Sequence, residues 1–401
     1  MSKLLILGGG FAGMWAALTA AREAHVAGKS LDVTLVSRDE YLTVRPRLYE
    51  PFEDGLRAPL RPVLEPVGVR FVPGEIGNVD AAARRVRVAT GGSETTFDYD
   101  RLVLATGSVQ RALPIPGAEF AYDIDTFAGA GRFDARLRDV LREPERTGAL
   151  TFVIVGAGFT GIELATDMRR RIRVLADAAL AGRARIVLVE RNTMVGPDLG
   201  SKPRPILEAA LRDVRVEVRL GVSLTAIDAE GVTLGGGERI ASRTVIVAAG
   251  LAANPLTADL SAERDALGRV VVDDYLRVPT APGVFAAGDS AHAKVDEEGH
   301  SALMSCQHAC PMGKHAGYNA ARELLGLEPR VYRQPGYVTC LDLGDAGAML
   351  TTGWDREVQQ TGEETKALKR TINTQWIYPP KGTREDILAA SDIDGVWPPP
   401  T

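Results

Sequence analysis

Residues 3–13 read KLLILGGGFAG, and the whole chain is organised around them. An apolar run, Leu4 to Leu7, stops at Gly8, and mostly small residues follow as far as Ala21. This pattern predicts a buried strand, a tight turn and a helix. Gly8, Gly10 and Gly13 fill the G-x-G-x-x-G spacing, each for a separate reason. The first permits the turn, the second lets a pyrophosphate approach the backbone, and the third lets helix pack on strand. The helix N-terminus then offers free N–H groups and a partial positive charge to phosphate. A dinucleotide site is expected here.

Outward from this stretch, residues 33–36 (VTLV) form a second apolar strand and complete a β-α-β unit. An acid commonly ends that strand and binds a ribose. Here Ser37 stands at its end, followed by Arg38 and Asp39, so the ribose contact passes to Ser37 or Asp39. Residues 41–66 carry many prolines with interspersed Leu, Val, Tyr and Phe, and read as a structured loop region. Residues 69–72, 85–89 and 96–104 read as short strands. The last of them runs into Ala105, Thr106 and Gly107, small enough to let backbone approach a flat cofactor.

The opening pattern recurs at residues 151–165, TFVIVGAGFTGIELA, where Gly156, Gly158 and Gly161 repeat the spacing 148 positions after the first. The strand at 186–189 (IVLV) does end in an acid, Glu190, whose carboxylate would accept both ribose hydroxyls of NAD and repel a 2′-phosphate. Arg191 beside it blunts that preference, and NADH is favoured over NADPH. Two phosphate loops imply two dinucleotides, and that combination suggests a flavin accepting hydride from a nicotinamide. Later strand-to-turn segments are TVIVAAGLAANP, ending near Gly250, and VFAAGDSA at 284–291. In the second, Gly288 and Asp289 are expected to open a helix. There Asp289 would either hydrogen-bond a ribityl hydroxyl or serve as an ordinary N-cap.

Composition is that of a globular protein of 401 residues, enough for two or three domains. A net charge of −5 and the lack of a long basic block give no reason to expect nucleic acid. The arginines at 169, 170, 171 and 173 are read as the solvated face of a helix. Three cysteines, Cys306, Cys310 and Cys340, make no disulfide framework. No signal-peptide pattern and no apolar run near the ~18 residues that span a bilayer is present, so a cytoplasmic protein is expected.

GGGFAG, ATGS, GAGFTGIELA with Glu190, AAG at 248–250 and FAAGDSA, in this order, resemble the two-dinucleotide-binding-domain flavoproteins. Within them the chain is most similar to type II NADH dehydrogenases, through RPRLYE (Arg45 to Glu50), IPGAE, GFTGIELA and SCQHA. The resemblance covers about residues 1–350. It implies an α/β fold with two Rossmann-like domains and a smaller C-terminal α+β domain. The FAD domain would comprise 1–112 and 256–328, the NADH domain 113–255, and the C-terminal domain 329–401. FAD would be held by Gly8, Gly10, Gly13, Ser37, Arg38, Arg45, Ala105, Thr106, Gly107, Gly288 and Asp289, with Gln307 beside the flavin. NADH would be held by Gly156, Gly158, Gly161, Glu190 and Gly250. Glu163 matches a family carboxylate near the nicotinamide and the proton path, although an acid early in a helix also complements the dipole.

Departures from that family are equally informative. Its acceptor-side helix carries an Ala-Gln pair with a second glutamine four positions on. Here Gln307 is retained, Cys306 replaces the alanine and Pro311 the second glutamine. The tail SDIDGVWPPPT and the polar stretch INTQWIYPP at 372–380, read as broken, leave no amphipathic membrane anchor. A soluble small-molecule electron acceptor is therefore expected over a lipid-dissolved quinone. Cys306 and Cys310, four apart, read chiefly as small buried thiols and secondarily as a redox pair, and His308 as a core histidine or a proton donor. Two cysteines and a histidine without a fourth ligand make no zinc site. The expected activity is hydride transfer from NADH to FAD and two-electron reduction of a quinone-like acceptor facing Gln307, His308 and Tyr49. A thiol- or sulfide-active flavoprotein, a flavin monooxygenase and a flavin-bearing redox sensor are the competing readings. Oligomeric state stays open, a homodimer included.

Overall fold

The computed structural model describes residues 1–395. The proline-rich end of the tail, from position 396 on, lies outside the described residues. Strand β1 (Lys3–Leu7) enters helix α1 (Phe11–Val26), and β2 (Asp32–Ser37) lies parallel to β1 with Leu4 opposite Val33. Both strands are buried on both faces, which is why they read as continuous apolar runs without alternation. β3 (Arg70–Pro73) joins β2, an antiparallel meander follows (Glu75–Asp80, Arg85–Thr90, Ser93–Asp98), and β4 (Arg101–Leu104) returns to the far side of β1. The stretch 96–104, expected as one strand, is thus the end of one and the whole of another. Asp100 separates them because its N–H binds Lys3 C=O at 3.0 Å and its carboxylate takes Lys3 N–H at 2.7 Å, bending the chain into the parallel sheet.

After the short strand β5 (Ser108–Gln110), the same order of events repeats. β6 (Tyr122–Asp123) and helix α2 (Phe127–Arg142) precede β7 (Thr151–Val155), helix α3 (Phe159–Leu175), β8 (Arg185–Glu190) and β9 (Val216–Leu220). A second meander follows (Leu224–Asp228, Gly231–Leu234, Arg239–Ala241), then β10 (Thr244–Val247). The sheet order is β6-β10-β7-β8-β9, all parallel, with the glycine-loop strand at its centre. β11 (Leu251–Ala253) pairs antiparallel with β5, and β12 (Val284–Ala286) then completes the first sheet in the order β12-β4-β1-β2-β3. The first sheet therefore draws on chain from both sides of the second.

Helix α4 (Cys306–Leu325) crosses α1 at close range. A Cβ on Gly313 or Gly317 would stand 2.2 and 2.1 Å from the carbonyl oxygens of Ala12 and Ala16, so only glycine permits this crossing. Strands β13 (Val338–Asp342), β14 (Ala348–Thr352) and β15 (Glu357–Gly362) form an antiparallel sheet. It is followed by helix α5 (Glu363–Thr371). Residues 372–380, read as broken, instead begin by extending α5 as a π-turn, Ile372–Trp376, because the buried Asn373 side chain donates to Glu50 at 2.9 Å and holds the turn in place. Among the described residues no helix is long and apolar enough to cross a membrane.

The arginine run on α3 also departs from expectation. Arg171 is 1% exposed, meeting Asp134 of α2 at 3.2 Å and the Tyr49 carbonyl at 2.9 Å. Arg169 binds the carbonyls of Val214 and Ala181, and Arg170 binds Asp167. Consecutive helical positions turn by about 100°, so neighbours on a helix packed on several sides cannot all face water.

Candidate active site

The two glycine loops have matching geometry. Gly8 (φ +106°) and Gly156 (φ +105°) adopt a backbone that favours glycine, and a Cβ there would lie 2.3 Å from Ala105 O and 2.9 Å from Ala248 O. Gly13 and Gly161 press on the first glycine of their own loop, with a Cβ falling 1.8 Å from Gly8 O and 1.9 Å from Gly156 O. Gly10 and Gly158, the N-caps of α1 and α3, face open space with nothing within 4 Å. Two of three glycines in each loop are thus required by the fold, and the remaining one leaves room at a helix N-terminus for a phosphate. The residues present fit a dinucleotide at both places.

Glu190 ends β8 buried, and its carboxylate accepts from Ala157 N–H at 2.8 Å and from Asn192 N–H and Nδ2 at 2.9 and 2.7 Å. These bonds fix an anion beside the second loop and leave about one acceptor site free, on Oε2. Ser37 ends β2, also buried, whereas Arg38 is exposed and faces Asp39 and Glu75 at 3.5 and 3.8 Å.

Thr106, Gly107, Ser108, Asp289 and Arg45 are brought together from three segments. Asp289 accepts from Ser108 Oγ at 2.6 Å and faces Arg45 at 3.5 Å, and Arg45 donates to Ser108 Oγ at 2.9 Å and pairs with Asp125. Thr106 Oγ1 and Gly107 O each lie 3.3 Å from Ser290 Oγ. The helix expected at Asp289 is a single 3-10 turn, Gly288–Ser290, passing into an extended bridge at Ala291. Gly288 sits in the left-handed region at φ +65°, where a Cβ would meet Ala12 of α1 at 2.8 Å and Ala309 of α4 at 3.5 Å, so the chain makes a tight corner between these two helices here instead of opening a helix.

Glu163, the fifth residue of α3, is 2% exposed. Its Oε1 meets Lys369 Nζ at 2.9 Å and accepts Asp342 N–H at 3.1 Å. Burial drives this carboxyl up to about 7, against the opposing pull of Lys369 and the Asp342 N–H. Desolvation works against the Lys369 ammonium, but Glu163 outweighs it and holds its proton more tightly than usual. Beside this pair, Asp342 accepts from Tyr49 OH at 3.2 Å and meets Lys366 at 2.9 Å. Lys366, Lys369 and Asp342 escaped sequence reasoning. The only local signal was two lysines three apart in EETKALKRT, which ordinarily marks a solvated helix.

At the start of α4, the Gln307 side-chain amide pairs with the Val338 backbone, accepting its N–H at 3.0 Å and donating to its C=O. His308 is fully buried, its Nδ1 lies 3.2 Å from Gln334 Oε1, and burial lowers its pKa to about 4. It is therefore neutral at pH 7 and has no proton of its own to give as an imidazolium. Burial pushes the Cys306 thiol up to about 11 and Cys310 higher still, the opposite of an activated thiol. Cys340 lies in β13, buried.

The sequence model of the pyridine nucleotide-disulphide oxidoreductase family matches residues 2–313. An NADH dehydrogenase-like protein of Mycobacterium tuberculosis is 46% identical over 396 residues, 98% of either chain. The type II NADH:quinone oxidoreductase NdhA of that organism is 31% identical over 347 residues, 78% of this chain and 71% of its own. NDH2 of Plasmodium falciparum, solved with NADH, superposes with a TM-score of 0.77 at 14% identity over 97% of both chains. The sulfide:quinone oxidoreductase of Aquifex aeolicus does so with a TM-score of 0.77 at 15% identity, over 98% of this chain and 92% of that one. At such identities the structural likenesses speak for the fold alone.

Proposed function

This chain belongs to the pyridine nucleotide-disulphide oxidoreductase family and is an oxidoreductase of the type II NADH dehydrogenase-like kind, and from that premise we propose that it oxidises NADH on a bound FAD and reduces a small quinone-like acceptor. Bound FAD would supply a two-electron carrier between nicotinamide and acceptor. The chain's own residues hold, orient and protonate. Gly8, Gly10 and Gly13 with Thr106, Gly107 and Asp289 hold one dinucleotide, Ser37 closes its ribose side, and Arg45 and Ser108 keep the Asp289 carboxylate aimed. Gly156, Gly158 and Gly161 hold the other, with Glu190 selecting a free 2′-hydroxyl over a 2′-phosphate. The FAD part comprises residues 1–112 and 256–328, the NADH part 113–255, and the remainder closes the site with Lys369 and Asp342.

Glu163, with a carboxyl near 7, holds or releases a proton at Oε close to neutral pH, and Lys369 keeps its charge from being stranded. Gln307 and Tyr49 line the acceptor side, while neutral His308 serves as a wall. The protonated state of Cys306 and Cys310 weighs against the thiol-active alternative.

The doubled cradle, with Gly10 and Gly158 each left facing open space, is the observation that carries this reading. Its test is an anaerobic titration of the purified protein. A yellow protein bleached at once by NADH, slowly by NADPH, and re-oxidised by a soluble quinone is expected. A colourless protein that takes up no FAD, or equal reduction by NADH and NADPH, overturns it.

A further inference from the structure

Arg356 stands apart from every other buried cation in the described residues. It is 7% exposed, sits in the left-handed region at φ +56°, and is paired with no carboxylate. Its Nη1 has no hydrogen-bond partner and is shut off from solvent, and Nη2 reaches only the Asp198 carbonyl at 3.4 Å. The acids beside it are turned elsewhere, since Asp355 and Glu357 face Lys202. Its guanidinium lies over the Tyr337 ring at 4.3 Å. A buried charge without a counter-ion is strongly destabilising, and a left-handed arginine adds to that. By contrast, Arg171 and Arg47, equally buried, each have a carboxylate. The Tyr337 face and the Asp198 carbonyl give the guanidinium a seat, but among the described residues nothing neutralises its charge or satisfies Nη1.

Its position suggests what completes it. The hairpin between β14 and β15 rests on the loop after Glu190, where the Arg356 side chain approaches Gly200. That loop is bound to the second cradle, with Gly196 N–H donating to Ala157 O at 2.9 Å, and Ala157 N–H binds Glu190. On its other side Arg356 meets Tyr337, which stacks with His308 of α4 at 5.3 Å between ring centres. The guanidinium thus touches, on one side, the loop that is tied to the second phosphate cradle and, on the other, the Tyr337 ring that leans on the acceptor-side helix, and it is carried on a side chain with several rotatable bonds.

Resting on the reading above, we propose that Arg356 is an oxyanion receptor of the active site, parked on the Tyr337 face and drawn to a phosphate or carboxylate-type oxygen of the bound dinucleotide or of the acceptor. The dinucleotide is the favoured source, because the loop Arg356 touches belongs to its cradle. A guanidinium meets paired oxyanion oxygens with two parallel N–H bonds, which an ammonium cannot reproduce.

The test uses the FAD-loaded protein and the variants Arg356→Gln, Arg356→Lys and Arg356→Asn. Calorimetric binding of ADP-ribose, which has the pyrophosphate and no nicotinamide, is compared with that of adenosine, which has neither. Expected is a tenfold or greater loss of ADP-ribose affinity in Arg356→Gln, a smaller loss in Arg356→Lys, and little change for adenosine. If ADP-ribose binding holds but preference for 1,4-naphthoquinone-2-sulfonate over its neutral parent collapses in Arg356→Gln, the oxyanion belongs to the acceptor. Thermal unfolding without ligand separates a receptor from a structural strut. Asparagine tolerates the left-handed region, so Arg356→Asn should unfold no earlier than the parent while losing its stabilisation by ADP-ribose. Unchanged binding and unchanged sulfonate preference in Arg356→Gln overturn the proposal, as does an unliganded Arg356→Asn that melts far earlier with its ADP-ribose affinity intact. A wild-type protein that NADH cannot reduce would instead refute the underlying function and leave the ADP-ribose comparison readable.

Discussion

The second and third glycines of the second glycine loop, Gly158 and Gly161, should fail in different ways when each is replaced by alanine. At Gly161 the new Cβ would lie 1.9 Å from Gly156 O, where ordinary contact begins at 3.4 Å. Backbone on both sides must then move by about 1.5 Å, an overpacking cost of roughly 3 kcal/mol or more. For a unit of this size that lowers the unfolding midpoint by roughly 6–12 °C. At Gly158 nothing lies within 4 Å, and the residue is an N-cap in extended conformation. Alanine there costs the fold under about 1 kcal/mol, the difference between glycine and alanine at a cap. It does fill the space a pyrophosphate needs, so NADH affinity should fall tenfold or more, about 1.4 kcal/mol for each factor of ten. Thermal unfolding reads the first effect, and the NADH dependence of anaerobic flavin reduction in a stopped-flow instrument reads the second. If Gly158→Ala melts as early as Gly161→Ala, or binds NADH as tightly as the parent, the division of labour drawn from the loop geometry is wrong.

Lys369→Met strands Glu163 in the interior, raising a folded-state carboxyl that already sits at about 7. A raised folded pKa contributes stability present at low pH and lost as pH rises through it, and in the parent that loss begins near 7 because Lys369 helps Glu163 to ionise, so the variant's deficit by urea unfolding should grow by up to about 1.4 kcal/mol between pH 5 and pH 8. Arg171→Met removes the donor to Tyr49 O but leaves Asp134 its second partner, Arg138 at 2.8 Å, so a loss of about 2–4 kcal/mol is expected in the same assay. With its thiol at about 11, roughly one Cys306 in a thousand is thiolate at pH 8, so iodoacetamide should label it over hours, and Cys306→Ala and Cys310→Ala should keep most NADH:acceptor turnover. Asp289→Asn removes the charge that Arg45 and Ser108 orient, and gel filtration should strip flavin from it faster than from the parent.

What could be read from the chain alone was whatever depends on residues close in sequence. The glycine spacings, the apolar strands before them and Glu190 after one of them are local, because a phosphate cradle is a single turn whose steric demands fall within six positions. The repeated α/β plan follows, since each loop sits between a strand and a helix. The tertiary structure alone decided which charges are buried and what meets them. Glu163 finds Lys369 across 206 positions, Asp342 finds Tyr49 across 293, and Arg171 leaves the solvated face it was assigned because α2 and the Tyr49 loop close over it. The Asp289 helix failed for a similar reason, as Gly288 is pinned between α1 and α4, which no local pattern records. Periodicity reports how a segment presents itself, whereas the partner of a buried charge is fixed only when distant segments pack together.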